Sequence, residues 1–347
     1  MVVRKLEKKQ RVNLLRNIKF YPVKMDLRVD KLFFIEVDAQ ELIDASFHDS
    51  RVLLRHDTIC YETSIDGLMA YFERYLGVNP PIRAVYHNAF CGSTLLSRYL
   101  GELNKYFIYR EPPVFSHLAN YKYLGMAEKN DELWRKLLCL SSCLMSRSPK
   151  GLSAITKMND NCNNLIVDIH RFNDKSKSLI LYSDLETFLI SILKDQERRR
   201  FVRDRLSFMG ASSFPALKEI NHSELSDAHA AAFLWLLQTH IMIDAINKYD
   251  RVRTLNCNQL FDNPNQALLE TVHFFGKDVD ENLFEEAIIK HGTNHSKLGH
   301  VYSSSVRQEK LSRLRDNYME EIDSGLEWVD GFIDPGFLLP ILGASLL

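Results

Sequence analysis

Residues 82–96 of the chain read IRAVYHNAFCGSTLL. The opening segment, Ile82 to Tyr86, is short and mostly apolar, which is typical of a buried strand. From Ser93 onward, apolar residues recur every three to four positions, which predicts a helix. The turn between them contains Gly92 and leads into the hydroxyl side chains of Ser93 and Thr94. A strand, a tight turn and a helix N-terminus offer unpaired backbone N–H groups to an anion, so this segment predicts a phosphate-binding loop.

Strands and helices continue to alternate after this unit. Predicted strands cover Tyr106–Tyr109, Leu152–Met158, Ser178–Tyr182 and Arg251–Cys257, and predicted helices cover Asp131–Met145, Ala228–Tyr249 and Asn265–Phe275. Such alternation favours a mostly parallel sheet with helices on both faces and ligands at the carboxyl ends of the strands. We therefore predict an α/β protein with a P-loop NTPase-like three-layer fold, a mostly parallel central sheet and helix-rich insertions.

The first 78 residues have a different character. Short strand-like pieces such as Lys31–Val37 alternate with polar turns, and an amphipathic stretch runs from Ile65 to Leu76. A turn signal, Gly77 to Pro81, follows. We expect residues 1–78 to form a small N-terminal appendage or cover and residues 79–347 to form the main domain.

Composition limits the classes of partner. The chain has 347 residues, of which 46% are hydrophobic and 26% charged, the balance of an ordinary globular protein. Lys and Arg (44) nearly cancel Asp and Glu (45), so no global basic field exists to hold a nucleic acid or an anionic membrane. The amino terminus is charged, no apolar run reaches the ~18 residues of a membrane span, and the cysteines lack the density of a disulfide scaffold. We expect a cytoplasmic protein that binds any anion through a local site.

The loop departs from the ATP-binding pattern Gly-x-x-x-x-Gly-Lys-Ser/Thr. His87 stands at the first glycine and Ser93 replaces the lysine, while Gly92 and Thr94 match. This combination disfavours an ATPase or GTPase, although a divergent ATP-dependent kinase stays open as an alternative. A strand followed by a Ser/Thr-capped helix with no ligand is the simplest structural interpretation of the same residues.

Several segments in order resemble sulfotransferases. They are the loop Ala89–Leu96, the strand and helix Leu179–Ser191 and the later block Arg253–Pro264, and the resemblance covers roughly residues 82–300. It implies that a loop formed by Cys91, Gly92, Ser93, Thr94 and Leu95 cradles the 5′-phosphosulfate of 3′-phosphoadenosine-5′-phosphosulfate, the donor substrate. It further implies that Ser183 and Ser191 lie at the nucleotide's 3′-phosphate. Two departures remove positive charge, because Phe90 replaces the family's loop lysine and Ser183 replaces its 3′-phosphate arginine.

The resemblance also implies catalytic roles. Glu111 corresponds to a base, Lys157 to a cation that stabilises charge on the leaving group, and Lys297 to a residue that covers the nucleotide. His87 is a second candidate base because it ends the first strand. Each has a structural alternative: Glu111 could pair with Arg110, Lys157 could be solvated, and His87 could be hydrogen-bonded within the turn. The expected acceptor is a hydroxyl or amine of a small molecule or glycan, and no metal is required.

Other functions remain open at this level. The chain could bind a nucleotide or a partner without transfer activity, or Cys91 could be a nucleophile because it precedes a helix. Three histidines between residues 291 and 300 raise a metal site that no cysteine or carboxylate pattern completes. Cys139 and Cys143 are one helical turn apart, as in core packing. The basic run Glu197 to Arg205 could touch a phosphate or an acidic partner, although such a run is more typical of a solvated helix face.

Overall fold

A computed structural model describes residues 2–5, 11–48, 58–75, 79–209, 220–292 and 304–347. The strands are β1 (Val2–Lys5), β2 (Phe20–Asp26), β3 (Lys31–Glu36), β4 (Ile59–Ser64), β5 (Arg83–His87), β6 (Tyr106–Arg110), β7 (Ser153–Lys157), β8 (Lys177–Tyr182) and β9 (Val252–Asn256).

Helices make up most of the remaining described chain. They are α1 (Arg11–Arg16), α2 (Ala39–Asp44), α3 (Ile65–Tyr75), α4 (Ser93–Glu102), α5 (Pro113–Tyr123), α6 (Asp131–Met145), α7 (Ile166–Phe172), α8 (Leu185–Leu193), α9 (Gln196–Met209), α10 (Asp227–Lys248), α11 (Cys257–Asp262), α12 (Pro264–Phe274), α13 (Asn282–Gly292), α14 (Ser304–Asn317), α15 (Met319–Asp330) and α16 (Leu339–Gly343). A 3₁₀ helix, Asp160–Leu165, precedes α7.

Five strands form a parallel sheet in the order β6-β7-β5-β8-β9. The central position of β5 agrees with its sequence, since four of its five residues are buried. β7 lies between β6 and β5, and Lys157 at its end pairs in register with Arg110 of β6 and Val85 of β5. The strand and helix pattern that the sequence predicts is therefore confirmed, and the chain is an α/β protein with a parallel central sheet.

Four further strands form a separate sheet near the amino terminus, in the order β1-β4-β3-β2. β3 pairs antiparallel with β2 and β4, whereas β1 runs parallel to β4. Alternate residues such as Leu32 and Phe34 are fully buried, as the pleat of a half-covered sheet requires. This sheet lies within the segment that the sequence assigns to a small N-terminal appendage.

The chain folds as two compact units. The first unit consists of residues 1–86 and 100–178, and the second consists of residues 87–99 and 179–347. Both units are therefore built from segments that are separated in the sequence. The expected boundary between residues 1–78 and 79–347 stays a prediction.

Capping side chains set where several helices begin. The Asp184 carboxylate accepts the Thr187 N–H at 2.7 Å at the start of α8, the usual role of an aspartate directly before a helix. Ser226 caps α10 in the same way through the His229 N–H. Among the described helices, α10 is the one long and apolar enough to cross a membrane, and 67% of its most apolar stretch is buried. In the second unit it packs against α8, α9 and α15, as a core helix does.

Candidate functional site

The loop between β5 and α4 has the backbone geometry of an anion cradle. Phe90 and Gly92 both adopt the left-handed region, with φ of 64° and 90°. The first hydrogen bond of α4 runs from the Leu96 N–H to the Gly92 carbonyl at 3.1 Å. The N–H groups of Ser93 and Thr94 precede it, so they are not used within the helix. Left-handed residues before a helix N-terminus form the type of concavity that binds phosphate.

Asn88 fastens this loop to the end of β8. Its side-chain amide donates to the Ser183 carbonyl at 3.2 Å, and its side-chain oxygen accepts the Ser183 N–H at 3.1 Å. Trp235 of α10 donates its indole N–H to the same carbonyl at 3.0 Å. The position where sulfotransferases carry an arginine is therefore a buried, backbone-anchored serine, whose hydroxyl lies 3.4 Å from the Asn88 side-chain oxygen.

Gly92 is required by its surroundings as well as by its φ angle. A Cβ atom added there would lie 3.0 Å from Cζ and 3.1 Å from Cε2 of Phe261. The aromatic ring of Phe261 therefore packs directly on the loop backbone. A side chain at this position would strain the backbone and press on this ring.

The structure gives His87 and Cys91 hydrogen bonds within the fold. His87 Nδ1 lies 2.9 Å from the Asn88 carbonyl, so Nδ1 carries the proton and donates it to the turn. The Cys91 thiol is buried and donates to the Leu181 carbonyl at 3.3 Å. A hydrogen bond to a carbonyl does not activate a thiol, because it holds the proton that a nucleophile must lose.

Arg198 brings positive charge to the loop from outside it. The centre of its guanidinium group lies 4.2 Å from the centroid of the Phe90 ring, and the Phe90 ring also contacts Phe201 edge to face. The same guanidinium donates to the Ser191 carbonyl at 2.8 Å. Arg198 thus connects the loop to Ser191, the buried residue of α8 that the resemblance assigns to the 3′-phosphate.

A second arginine approaches the loop through Phe261. The Arg307 guanidinium lies 4.3 Å from the Phe261 ring centroid, and it donates to the side-chain oxygen of Asn258 at 2.8 Å. Asn258 in turn donates to the Asp184 carboxylate at 3.1 Å. Arg307 belongs to α14, and it is only 6% exposed. Such burial is unusual for an arginine and indicates a fixed position.

Lys194 lies among these cations. Its pKa falls to about 8, first because burial disfavours the charged ammonium and then because Arg198, Lys310 and Arg307 repel it, against the attraction of Asp195. A concentration of like charge costs free energy unless an anion relieves it. We call Lys194, Arg198 and Arg307 the basic cluster.

In the first unit, Lys157 and Glu111 form a buried ion pair. Lys157 is 2% exposed, its ammonium contacts Glu111 Oε1, and it also lies 5.6 Å from the Phe47 ring centroid. Asn159 donates to the other carboxylate oxygen, Oε2, at 3.0 Å. The solvated lysine considered from the sequence is therefore excluded. The two candidate catalytic groups do meet, but as partners that neutralise each other's charge.

Glu111 is held in a strained backbone conformation. Its φ is 57°, a region that costs a non-glycine residue about 1–2 kcal/mol. The Glu111 N–H donates to the Lys157 carbonyl at 2.7 Å, which continues the pairing of β6 and β7 past the end of the strand. Strain of this kind persists where surrounding structure fixes it, and it is concentrated at functional sites.

Arg110 binds backbone carbonyls at the end of α2. Its guanidinium donates to the carbonyls of Ile43 at 2.7 Å and Ala45 at 2.8 Å, and its backbone N–H donates to His48 Nδ1 at 3.1 Å. The Arg110 guanidinium thus binds backbone carbonyls, whereas the Glu111 carboxylate meets Lys157 and Asn159. The physical reason is that Arg110, the last residue of β6, serves the carbonyls at the end of α2.

The basic run on α9 also differs from a solvated face. Arg199 pairs with Asp227 at 3.1 Å and Glu321 at 2.6 Å, and Arg203 pairs with Asp227 at 2.9 Å. Arg200 is exposed, whereas Arg198 turns towards Phe90. Successive side chains of a helix point about 100° apart, so one basic run serves three different environments.

Three further expectations have different outcomes. Lys297 lies outside the described residues, as do most of the histidines between residues 291 and 300. Among the residues that the structure does describe, no group of three His, Cys, Asp or Glu side chains could hold a metal ion. Cys139 and Cys143 are both buried on α6, where burial raises the pKa of each thiol, in agreement with core packing.

These features define an α/β protein with a phosphate-type loop between a parallel strand and a helix. No family model and no curated protein matches the chain. Sulfotransferase structures match it over most of its length at low identity. The sulfotransferase domain from the curacin biosynthetic pathway is 11% identical with a TM-score of 0.42, covering 73% of this chain and 99% of that one.

Two further structures show a similar level of likeness. A sulfotransferase from Alicyclobacillus acidocaldarius is 14% identical with a TM-score of 0.33, covering 62% of this chain and 92% of that one. Retinol dehydratase, solved with androsterone and the inactive cofactor PAP, is 12% identical with a TM-score of 0.39 and covers 94% of both chains. We therefore infer the function from the residues of this chain.

Proposed function

We propose that the chain binds 3′-phosphoadenosine-5′-phosphosulfate and transfers its sulfuryl group to a hydroxyl or amine of a small-molecule or glycan acceptor. The observation that carries this proposal is the loop of Cys91 to Leu95, which combines left-handed backbone, N-terminal donors that the helix does not use and serine in place of the ATPase lysine. Charge-delocalised transfer of this type depends mainly on positioning and electrostatic stabilisation, which such a loop supplies.

In the proposed reaction the acceptor oxygen or nitrogen attacks sulfur, and the bond from sulfur to the 5′-phosphate oxygen breaks. The nucleotide leaves as adenosine 3′,5′-bisphosphate with the bonding electrons, and the acceptor's proton goes to Glu111. Protonation of Glu111 cancels the charge that holds Lys157. The ammonium of Lys157 is then released to stabilise negative charge on the leaving oxygen.

The remaining candidates have proposed roles at the nucleotide. Ser191 and Ser183 lie at the 3′-phosphate, and Lys297 covers the nucleotide. His87 orients the turn through its hydrogen bond to the Asn88 carbonyl. Because Ser183 is held by Asn88 and Trp235, its contribution is to fix the loop rather than to supply charge.

A second candidate is nucleotide binding without transfer. It is favoured by one observation, the engagement of both carboxylate oxygens of Glu111 by Lys157 and Asn159. A base in this arrangement must first break a strong ion pair before its carboxylate can hydrogen-bond to the acceptor. If that exchange does not occur, the protein binds the nucleotide and performs no chemistry.

Transfer of ³⁵S-labelled sulfuryl groups to a panel of alcohols, phenols, amines and oligosaccharides tests the proposal. Calorimetric titration with adenosine 3′,5′-bisphosphate, ATP and magnesium-ATP runs beside it. We expect the bisphosphate to bind more tightly than ATP and labelled product to form. Ser93→Ala should weaken binding, whereas Ser97→Ala, one turn further along α4 with its hydroxyl on the Thr94 carbonyl, should not.

The outcomes separate the candidates. Bisphosphate binding with no product from any acceptor favours the binding protein, and magnesium-dependent turnover of ATP favours a kinase. Absence of bisphosphate binding by the folded wild-type protein overturns the sulfotransferase proposal.

A further inference from the structure

The loop carries no cation of its own, yet two arginines are held against it. Phe90, in the loop, stacks with Arg198 at 4.2 Å, and Phe261, whose ring abuts Gly92, stacks with Arg307 at 4.3 Å. Each arginine is thus positioned by an aromatic ring that belongs to the loop or touches its backbone. Neither arginine lies in a segment that the resemblance assigns to the nucleotide.

Neutral atoms help to position both guanidinium groups. Arg198 donates to the Ser191 carbonyl at 2.8 Å, and the carboxylate of Asp195 is 4.0 Å from its Nε. Arg307 donates to the Asn258 side-chain oxygen at 2.8 Å and to the Cys257 sulfur at 3.8 Å. Hydrogen bonds to these acceptors fix the positions of the two guanidinium groups.

A neighbouring arginine on the same helix provides the contrast. Arg199 meets two carboxylates, Asp227 and Glu321, within 3.1 Å, so its charge is matched, as is usual for a partly buried arginine. At Lys194, burial and then repulsion from Arg198, Lys310 and Arg307 lower the pKa, against the attraction of Asp195. Arg198 and Arg307 therefore bring positive charge to the surroundings of Lys194.

We propose that Arg198 and Arg307 are the charged ligands of the phosphate loop, and that they bind the phosphate groups of its substrate in place of the missing loop lysine and strand-end arginine. The chemical class recognised is a di- or polyanion with at least two phosphate-like groups. Planar guanidinium groups suit it because each can donate two parallel hydrogen bonds to one phosphate. This inference rests on the proposed function and deepens it by naming residues for the anion, but it holds for any phosphate-bearing ligand of the loop.

The strain at Phe90 agrees with this role. A bulky side chain at a φ of 64° is a rare conformation. Glycine would relieve it, but only an aromatic residue can hold Arg198 by stacking. The loop keeps the strained residue because its ring orients the cation.

Calorimetric titration with inorganic pyrophosphate, which lacks adenosine, tests the arginines separately from the nucleotide. The variants are Arg198→Gln and Arg307→Gln, and the matched control is Arg200→Gln, two residues from Arg198 on the same helix and exposed. We expect each of the first two to weaken binding about tenfold or more, because hydrogen bonds from a charged donor are worth more than one factor of ten. Arg200→Gln should stay close to the wild type, and Arg198→Lys should recover part of the loss.

Circular dichroism and thermal melts confirm that each variant is folded. Pyrophosphate affinity that is unchanged in folded Arg198→Gln and Arg307→Gln overturns the inference, as does a wild-type protein that binds no pyrophosphate. A parallel titration with adenosine 3′,5′-bisphosphate separates the two proposals. Arginine-dependent pyrophosphate binding with no preference for the bisphosphate over ATP supports the arginines and refutes the sulfotransferase. Tight bisphosphate binding that both Arg198→Gln and Arg307→Gln retain supports the sulfotransferase and refutes the role of the arginines.

Discussion

Replacing Gly92 with alanine should destabilise the second unit through two separable effects. The φ of 90° at this position costs an alanine about 1–2 kcal/mol. The added Cβ would also lie 3.0 Å and 3.1 Å from two ring atoms of Phe261. Forcing a methyl group into a packed site costs a further ~1–3 kcal/mol. We expect Gly92→Ala to lower the free energy of unfolding by the sum, about 2–5 kcal/mol.

Gly276 provides the matched control in the same unit. Its φ is 78°, but nothing lies within 4 Å of its added Cβ, so Gly276→Ala should show only the backbone cost. Urea denaturation followed by tryptophan fluorescence measures both variants. The difference between them isolates the Phe261 contact, and Phe261→Leu should relieve part of it in a double-mutant cycle. If Gly92→Ala lowers the free energy of unfolding no more than Gly276→Ala does, the Phe261 ring does not contact the loop backbone and cannot position Arg307 beside it.

Two further predictions concern the charged groups. Glu111→Gln and Lys157→Met each remove one partner of the buried ion pair, and each should lower the free energy of unfolding by about 3–5 kcal/mol, measured by urea denaturation. The double variant should lower it by clearly less than the sum of the two. Strict additivity would show that the ion pair does not exist in solution. The folded pKa of Lys194, about 8, lies below its ordinary 10.5, so its ammonium is charged below pH 8 and neutral above. Affinity for adenosine 3′,5′-bisphosphate, whose phosphates are already ionised above their second pKa of about 6, should therefore fall as the pH rises through about 8. Lys194→Met should remove that dependence; an identical pH profile in the variant would exclude Lys194 from the anion site.

The sequence predicts the loop and the sheet because their signals are local. Ile82 to Tyr86 is an apolar run, Gly92 is a lone glycine before a helix, and Asp184 is a cap directly before α8. Each depends on residues that are neighbours in the chain, where propensity and periodicity are informative. The confirmed strands follow from the same local rules.

The partners of the charged residues could not be predicted in this way. Glu111 has Arg110 next to it in sequence, but its ion pair is with Lys157, which becomes adjacent only when β6 and β7 pair in parallel. Arg307 lies far from Phe261 in the sequence and stacks on it only in the folded chain. Contacts between distant segments are set by tertiary packing, and no periodicity in a single sequence encodes them. A partial signal did exist for Arg198, since a loop that lacks its cation requires one from elsewhere and α9 carries the densest basic run.

The distribution of charged side chains limits which of them can bind the anionic groups of the ligand. Lys157, the cation that the resemblance favours, forms a buried ion pair with Glu111. Arg199 is paired with two carboxylates of the fold, Asp227 and Glu321. At the basic cluster, burial and then repulsion from Arg198, Lys310 and Arg307 lower the pKa of Lys194. Under the proposed function and the inference on the two arginines, substitutions at Arg198 and Arg307 should change affinity, whereas substitutions at Glu111 should change the rate of transfer.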